Sequence, residues 1–361
     1  MGQSPSSKNY TENPEDTVLI QGNQDLNEGR VVPRIYTTEI TKKSVPGDII
    51  LTVRAPVGDI AINRYDACIG RGVCALSNME DNNFIYYYLE YLSNKHIWNR
   101  YSQGSTFESI NSKDIKNLKI KVPSLEEQNK ISNLLVSLDN KITSMEKKLF
   151  YSELLKIYFL QNLIKNDNEK PKLRFPEFTD DWKTVKIGKI FDERVEKKYN
   201  DLELLSVTIS NGVIKRSEIE DKDTSSSNKS NYKHVQKGDL VYNSMRMWQG
   251  ASGISNYEGI VSPAYTVLIP KESINSKFYG YYFKKQEMLN EFQKYSQGLT
   301  SDTWNLKYPL ISQIKVKKPP IEEQNKITEL LNKLDQKIKN TKKYIKRNKE
   351  FKRSLISKMF C

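Results

Sequence analysis

Leu125-Glu126-Glu127-Gln128-Asn129-Lys130-Ile131 returns near the end of the chain as Ile321-Glu322-Glu323-Gln324-Asn325-Lys326-Ile327, an offset of 196 (322 − 126). The register persists through Leu134/Leu330, Leu135/Leu331, Leu138/Leu334, Asp139/Asp335, Lys141/Lys337 and Ile142/Ile338. It still holds where Phe159-Leu160 and Leu163-Ile164 align with Leu355-Ile356 and Met359-Phe360. A repeat of this length marks an internal duplication.

Each copy reads as one long helix. Ile131, Leu135, Leu138, Ile142, Met145 and Leu149 alternate steps of four and three, and the second copy gives Ile327, Leu331, Leu334, Ile338 and Ile345. This is the narrow apolar seam that a helix buries against another helix. Pro123-Ser124 and Pro319-Pro320 set the starts, and Glu126-Glu127 and Glu322-Glu323 fall in the first turns, where negative charge is favoured. About 40 residues of helix span roughly 60 Å. The economical expectation is that the two copies pair with each other as an antiparallel coiled coil.

The 361 residues suffice for two or three domains. No apolar run approaches membrane-spanning length and no signal-peptide pattern follows Met1. Cys68, Cys74 and Cys361 are too scattered for a disulfide framework or a four-cysteine zinc site, so a reduced, cytoplasmic protein is expected. A net charge of +13 favours a polyanionic partner, although lysine-rich composition alone does not establish one. Residues 321–360 carry twelve Lys/Arg against five Asp/Glu, whereas 125–164 carry five of each. The block Lys342, Lys343, Lys346, Arg347, Lys349, Lys352 and Arg353 can face phosphate, solvent or a docked partner.

Residues 1–122 read as a first globular unit. Ile49-Ile50-Leu51-Thr52-Val53-Arg54 and Ile60-Ala61-Ile62 are strands, Gly70-Arg71-Gly72 is a turn, and Phe84 through Leu92 is a helix packed on the sheet. Leu118-Lys119-Ile120-Lys121-Val122 alternates as a last strand before the long helix of residues 123–165. A polar linker is expected over 166–180, and a second globule over 181–318 precedes the last long helix, 319–361. This second globule repeats the first loosely: Gly238-Asp239-Leu240-Val241-Tyr242 matches Gly47-Asp48-Ile49-Ile50-Leu51, Arg246 falls opposite Arg54, and Tyr295-Ser296-Gln297-Gly298-Leu299-Thr300 matches Tyr101-Ser102-Gln103-Gly104-Ser105-Thr106. The predicted class is α+β, with two related globules and two repeated helices.

Catalytic signatures are missing. There is no phosphate-loop motif, no G-x-G-x-x-G after a strand and no Asn/Asp-Pro-Pro-aromatic motif of amino-methyltransferases. His96 and His234 lack metal-ligand spacing, and the repeated Glu-Glu pairs sit at helix starts, where capping charges are expected.

Two variable domains, each followed by a long helix opening Pro-x-x-Glu-Gln-x-Lys-Ile, resemble the specificity subunit of type I restriction–modification systems. Pro123 through Ile131 and the copy at Pro320 carry that signature. Leu173-Arg174-Phe175-Pro176-Glu177-Phe178 with Trp182 resembles the segment that opens target-recognition domains in Gram-positive members. The resemblance covers essentially the whole chain. It implies that each globule reads one half of a bipartite, asymmetric target in double-stranded DNA. It also implies that the paired helices bind two methyltransferase subunits, and restriction/translocase subunits through them. Catalysis, with S-adenosylmethionine, ATP and Mg, would then reside in those partners and no cofactor in this chain. One departure stands out: the element at 173–178 has no counterpart before the first globule. Either the chain starts at an internal Met, or the two domains differ in loop length.

Candidate DNA contacts are Arg54 and Arg246 at matching strand ends, Arg71 between two glycines, Lys215 and Arg216, and Gln103, Ser105, Gln297 and Thr300 in the two Gln-Gly loops. The arginines read equally as a duplicated structural salt bridge, and the loops as turns kept for geometry. The clusters Tyr86–Tyr88 and Tyr281-Tyr282 read as packing, because bases in a duplex are not available to stack on them. Two other functions compete with DNA reading: a nuclease with an unrecognised carboxylate site, and a coiled-coil scaffold that binds only proteins.

Overall fold

Both long helices form in the computed structural model, Leu125–Leu163 and Ile321–Met359, each of 39 residues. The structure describes residues 1–77, 79–98, 109–165, 171–220, 225 and 228–360. The chain divides into two units, Met1–Lys147 with Lys342–Cys361, and Lys148–Thr341. Each unit therefore contains the beginning of one long helix and the end of the other. Within unit 1, Asp139 meets Lys352 and Glu146 meets Lys349, so the helix segments run antiparallel. Within unit 2, Lys156 meets Asp335 while Leu163 and Ile164 share a core with Ile327 and Leu331, again antiparallel.

The seam residues Leu135, Ile142, Ile327, Leu331, Leu334 and Ile345 are buried, and Ile131, Leu138, Leu149 and Ile338 are half-buried. The seam is wider than a two-helix one. Leu135 shares a core with Phe84, Tyr88, Ile356 and Phe360, so each globule's own helix packs into the helix pair. In unit 1 that helix is Asn82–Asn94, opened by Asp81, whose carboxylate accepts from the Phe84 N–H. In unit 2 it is Ser276–Tyr282, capped by Asn275. The tyrosines on these helices are packing residues, as the sequence predicts.

Among the described residues, unit 1 has two five-stranded sheets. One orders Tyr10–Thr11, Tyr36–Thr37, Thr17–Ile20, Ala67–Ile69 and Lys43–Ser44; the other orders Val73–Leu76, Ile49–Thr52, Ile60–Ile62, Arg30–Val31 and Leu26–Asn27. The run Ile49–Thr52 is buried on both faces, which explains its unbroken β-branched and aliphatic composition. Unit 2 has a four-stranded sheet, Phe191–Glu193, Tyr265–Pro270, Leu240–Asn243 and Ser252–Ile254, with three two-stranded ladders.

Duplication is visible bond by bond. Gly47 and Gly238 hold φ at +96° and +98°, a left-handed turn open to glycine, before Asp48 and Asp239, whose carboxylates accept from the backbone N–H three residues earlier. The Gln128 and Gln324 amides donate to the Pro123 and Pro319 carbonyls at 3.0 and 2.9 Å, pinning each helix start. The Tyr88 and Tyr282 hydroxyls accept from the Lys121 and Lys317 N–H groups, both at 3.2 Å.

One side-chain cluster also repeats, with its parts exchanged between copies. In unit 1, Tyr87 donates to Asp139 at 2.7 Å, and Lys352 pairs with Asp139 at 2.9 Å while lying 5.0 Å from the Tyr87 ring centroid. In unit 2, Tyr281 donates to Asp335 at 2.6 Å, and Lys156 pairs with Asp335 at 2.6 Å and lies 5.5 Å from the Tyr281 ring. Burial, then the neighbouring aspartate, pushes both phenols well above their usual range, so they act as donors. The globule surfaces beside these clusters have diverged: Glu90, pairing with Lys352 at 3.0 Å, stands where unit 2 has Lys284.

The predicted strand at 118–122 does not form. Its counterpart Lys315–Lys318 pairs antiparallel with Lys183–Lys186, but no described strand lies beside 118–122, and a ladder needs a partner. Residues 166–170, within the predicted linker, lie outside the described residues. From residue 171 the chain folds back onto unit 2: Arg174 Nε and Nη2 each donate to a Glu323 oxygen at 2.8 Å, and the Trp182 indole donates to the same carboxylate at 2.9 Å. Among the described residues no helix is long and apolar enough to cross a membrane.

Candidate nucleic-acid interface

Arg54 and Arg71 converge in unit 1. Arg54 leaves the strand Ile49–Thr52 and is fixed by a β-bridge to Ser109. Arg71 sits in the turn between Ala67–Ile69 and Val73–Leu76, its N–H donating to Ser4 Oγ at 3.1 Å. The next residue, Gly72, lies so close to Gln21 that a Cβ would stand 2.1 Å from the Gln21 carbonyl oxygen. That approach sets the Arg71 turn beside the loop bearing Gln21 and Asn23. Together these residues line an open cleft of about 460 Å3 with Ser4, Ser7 and Tyr10. Both arginines are exposed and, among the described residues, neither guanidinium has an acidic partner. The salt-bridge reading of Arg54 therefore finds no support here. Sequence singled out the two arginines separately; Gln21 and Asn23, 31–50 residues away in sequence, carried no signal because only the fold brings them alongside.

Chemically the cleft is a donor-rich concavity. A guanidinium matches the two acceptors of a guanine edge or a phosphate, and Gln and Asn amides match the acceptor and donor of adenine.

In unit 2, Arg246 is exposed at the start of the short helical turn Met247–Gln249 and also lacks an acidic partner among the described residues. Gln297 and Thr300 are exposed on the facing loop. Gln297 and Asn305 exchange backbone bonds at 3.1 and 2.8 Å, and the Leu306 N–H reaches the Ser244 carbonyl at 2.8 Å. Trp248 and Trp304 meet edge to face at 5.1 Å, joining the Arg246 turn to the Gln297 loop. Leu299, at the loop tip, is 101% exposed. Lys215 and Arg216 stand elsewhere, at the end of the hairpin Leu205–Thr208/Gly212–Lys215. Lys215 lies 5.5 Å from the Tyr257 ring, and both residues are half-buried. Gln103 and Ser105 lie outside the described residues.

His234 is buried and sits between Glu196 and Glu258, at 3.2 and 2.9 Å from its two ring nitrogens, with Tyr199 stacked on the ring. The hydrogen bond to His234 holds the Glu196 carboxyl below the usual carboxylate range. Among the described residues no group of three or more His, Cys, Asp or Glu could hold a metal ion.

The long helices present two different outer faces. Phe150, Tyr151, Leu154, Leu155, Ile157 and Tyr158 are 41–65% exposed along the end of the first helix, in unit 2. The equivalent positions of the second helix, in unit 1, are Lys346, Arg347, Glu350, Phe351, Arg353 and Ser354. Within the predicted basic block, Lys349 is engaged by Glu28 and Glu146, and Lys352 by Glu90 and Asp139.

The type I restriction modification DNA specificity domain matches this chain over residues 1–150 and 179–347. Among curated proteins, the putative type I restriction enzyme MjaX specificity subunit of Methanocaldococcus jannaschii is 38% identical over 151 residues, covering 41% of this chain and 35% of that protein. The MjaVIII specificity subunit of the same organism is 24% identical over 276 residues, 71% of this chain and 64% of that protein. The matched part thus spans less than two thirds of either relative. Among solved structures, the S subunit of a type I restriction-modification system from M. genitalium superposes with a TM-score of 0.64 at 18% identity, covering 100% of this chain and 92% of that one. A second, from work on complex assembly and conformational transition of the type I R-M system, gives 0.52 at 17% identity over 95% and 91%. At these identities the two structures establish a shared fold.

Proposed function

Because this chain belongs to the type I restriction–modification DNA specificity family, we propose that it selects the DNA sequence on which a type I complex acts, each unit reading one half of a bipartite target. The observation that carries this reading is that the family's domain matches the chain twice, and each matched half holds its own globule with an exposed arginine unpaired among the described residues. Arg54, Arg71, Gln21 and Asn23 would read or position one half-site, and Arg246, Gln297 and Thr300 the other. Lys215 and Arg216, half-buried on a hairpin, suit phosphate contacts. Arginine in such a place does double duty, through base edges and through phosphates.

The globules differ, so the two half-sites differ and the target is asymmetric. The exposed helix faces supply docking surfaces for two methyltransferase subunits, which recruit restriction/translocase subunits. Chemistry belongs to those partners, with S-adenosylmethionine, ATP and Mg bound there, and this chain contributes recognition without catalysis. The compartment is the cytoplasm, where the DNA is.

The test replaces residues 181–318 with the second domain of another family member and maps methylated sites in the complex with its methyltransferase. One half-site should change and the other persist, with two methyltransferase subunits per chain by native mass. Both half-sites changing together, or sequence-independent binding, would overturn the reading.

A further inference from the structure

The two long helices share a seam but differ in the charges beside it. At one level the charges cannot tell the copies apart. Asp139 meets Lys352 in unit 1 at 2.9 Å, and Lys156 meets Asp335 in unit 2 at 2.6 Å. These are one contact made from either copy, since 335 − 139 and 352 − 156 both equal the repeat offset of 196. Each helix bears both the aspartate and the lysine. A helix paired with a second copy of itself would satisfy that contact equally well.

The neighbouring level is different. In unit 1, Lys349 pairs with Glu146 at 2.7 Å and with Glu28 of the globule at 2.8 Å. By the same offset, position 349 corresponds to 153 on the first helix (349 − 196), and position 146 to 342 on the second (146 + 196). Those positions hold Glu153 and Lys342, the opposite charges. In the register fixed by the Asp–Lys contacts, two first helices would set Glu146 and Glu28 against Glu153 of the second copy. Two second helices would set Lys342 against Lys349.

We propose that Glu146, Glu153, Lys342 and Lys349 form a charge code by which each long helix takes the other copy as its partner and rejects a second copy of itself. The apolar seam supplies association without choice, because its residues repeat: Leu135/Leu331, Leu138/Leu334 and Ile142/Ile338. Charges flanking a seam set partner choice by repelling the wrong partner as well as attracting the right one. An isolated surface pair contributes little, but Lys349 is half-buried and takes two carboxylates. A like pair, being two-fold symmetric, also makes each repulsive contact twice. The inference concerns how the halves join and stands whatever the globules read.

The test starts from the folded full chain, with a protease site placed within 166–170 and cut after purification. The nicked protein is unfolded in urea and refolded by dilution, and native mass spectrometry counts first–second, first–first and second–second pairs. With the unaltered charges, mixed pairs should exceed the proportion that chance gives. Glu153→Lys with Lys342→Glu leaves Glu28, Glu146 and Lys349 untouched yet makes both like pairs attractive. The ratio of mixed to like pairs should then fall by about tenfold, the sum of several such charge contacts. Adding Glu28→Lys, Glu146→Lys and Lys349→Glu reverses every charge, so the preference for mixed pairs should return. Chance proportions from the unaltered chain, an unchanged ratio in the double variant, or no recovery on full reversal would each overturn the proposal.

Discussion

Arg174→Ala should weaken unit 2 markedly, because Arg174, itself only 15% exposed, holds a buried carboxylate. Glu323 is fully buried at the start of the second long helix, and its two oxygens accept from Arg174 at 2.8 Å each. Without the guanidinium, the Trp182 indole at 2.9 Å is the remaining side-chain donor to that carboxylate among the described residues. Removing one member of a buried ion pair leaves an uncompensated charge, which costs about 3–5 kcal/mol. The duplication provides an internal control: Glu127, at the equivalent position, is exposed, so Glu127→Gln should change stability by no more than about 0.5 kcal/mol. Native-state hydrogen exchange on the intact chain reads both, since each unit reports through its own amides. In Arg174→Ala, exchange across 324–331 should quicken by roughly two to four orders of magnitude, at about 1.4 kcal/mol per tenfold. An effect below about 1 kcal/mol, or an equal one for Glu127→Gln, would refute the assignment of Glu323 as a buried, arginine-held charge.

Two further outcomes are expected. Replacing Arg54 and Arg71 with alanine should lower the slope of log affinity against log salt by about 1.8 if both meet phosphate, at about 0.9 each; an unchanged slope and an unchanged half-site would remove the cleft from the interface. Cys74 is buried, and burial raises its thiol to about 11; its peptide should therefore label with iodoacetamide at pH 8 some hundredfold more slowly than in the unfolded chain, the thiolate being the reactive form.

The helices were legible because their signal is local and doubled. Period, start residues and a second copy all agree, so Leu135, Leu331 and Leu334 fall on one apolar seam by spacing alone. Strands bounded by turn chemistry, such as Ile49–Thr52 after Gly47, were legible for the same reason. The strand expected at 118–122 shows the limit: alternation marks a segment able to join a ladder, and only the three-dimensional surroundings supply the other edge. The Tyr–Asp–Lys clusters were hidden differently. Asp139 and Asp335 are repeat partners in the sequence, but each takes its lysine from the other copy, Lys352 or Lys156, more than 170 residues away. In the cleft, Arg54 and Arg71 stood out by charge and flanking glycine, whereas Gln21 and Asn23 are ordinary loop amides until Gly72 lets their loop approach.

Unit 1 is built from both ends of the chain, and this sets an order on its birth. Ile356 and Phe360 lie in the same core as Phe84, Tyr88 and Leu135, yet the ribosome makes all of residues 148–341 between them. At roughly 5–20 residues per second that interval is on the order of ten to forty seconds. Throughout it the aromatic helix Asn82–Asn94 has its inner side incompletely covered, while every residue of unit 2 is available as soon as Thr341 emerges. The nascent first globule is thus the vulnerable species, exposed to chaperones, proteases and neighbouring chains on the same message. Its rescue depends on residues 342–361, so a ribosome stalled before they emerge would hold a chain with a finished second unit and an open first one.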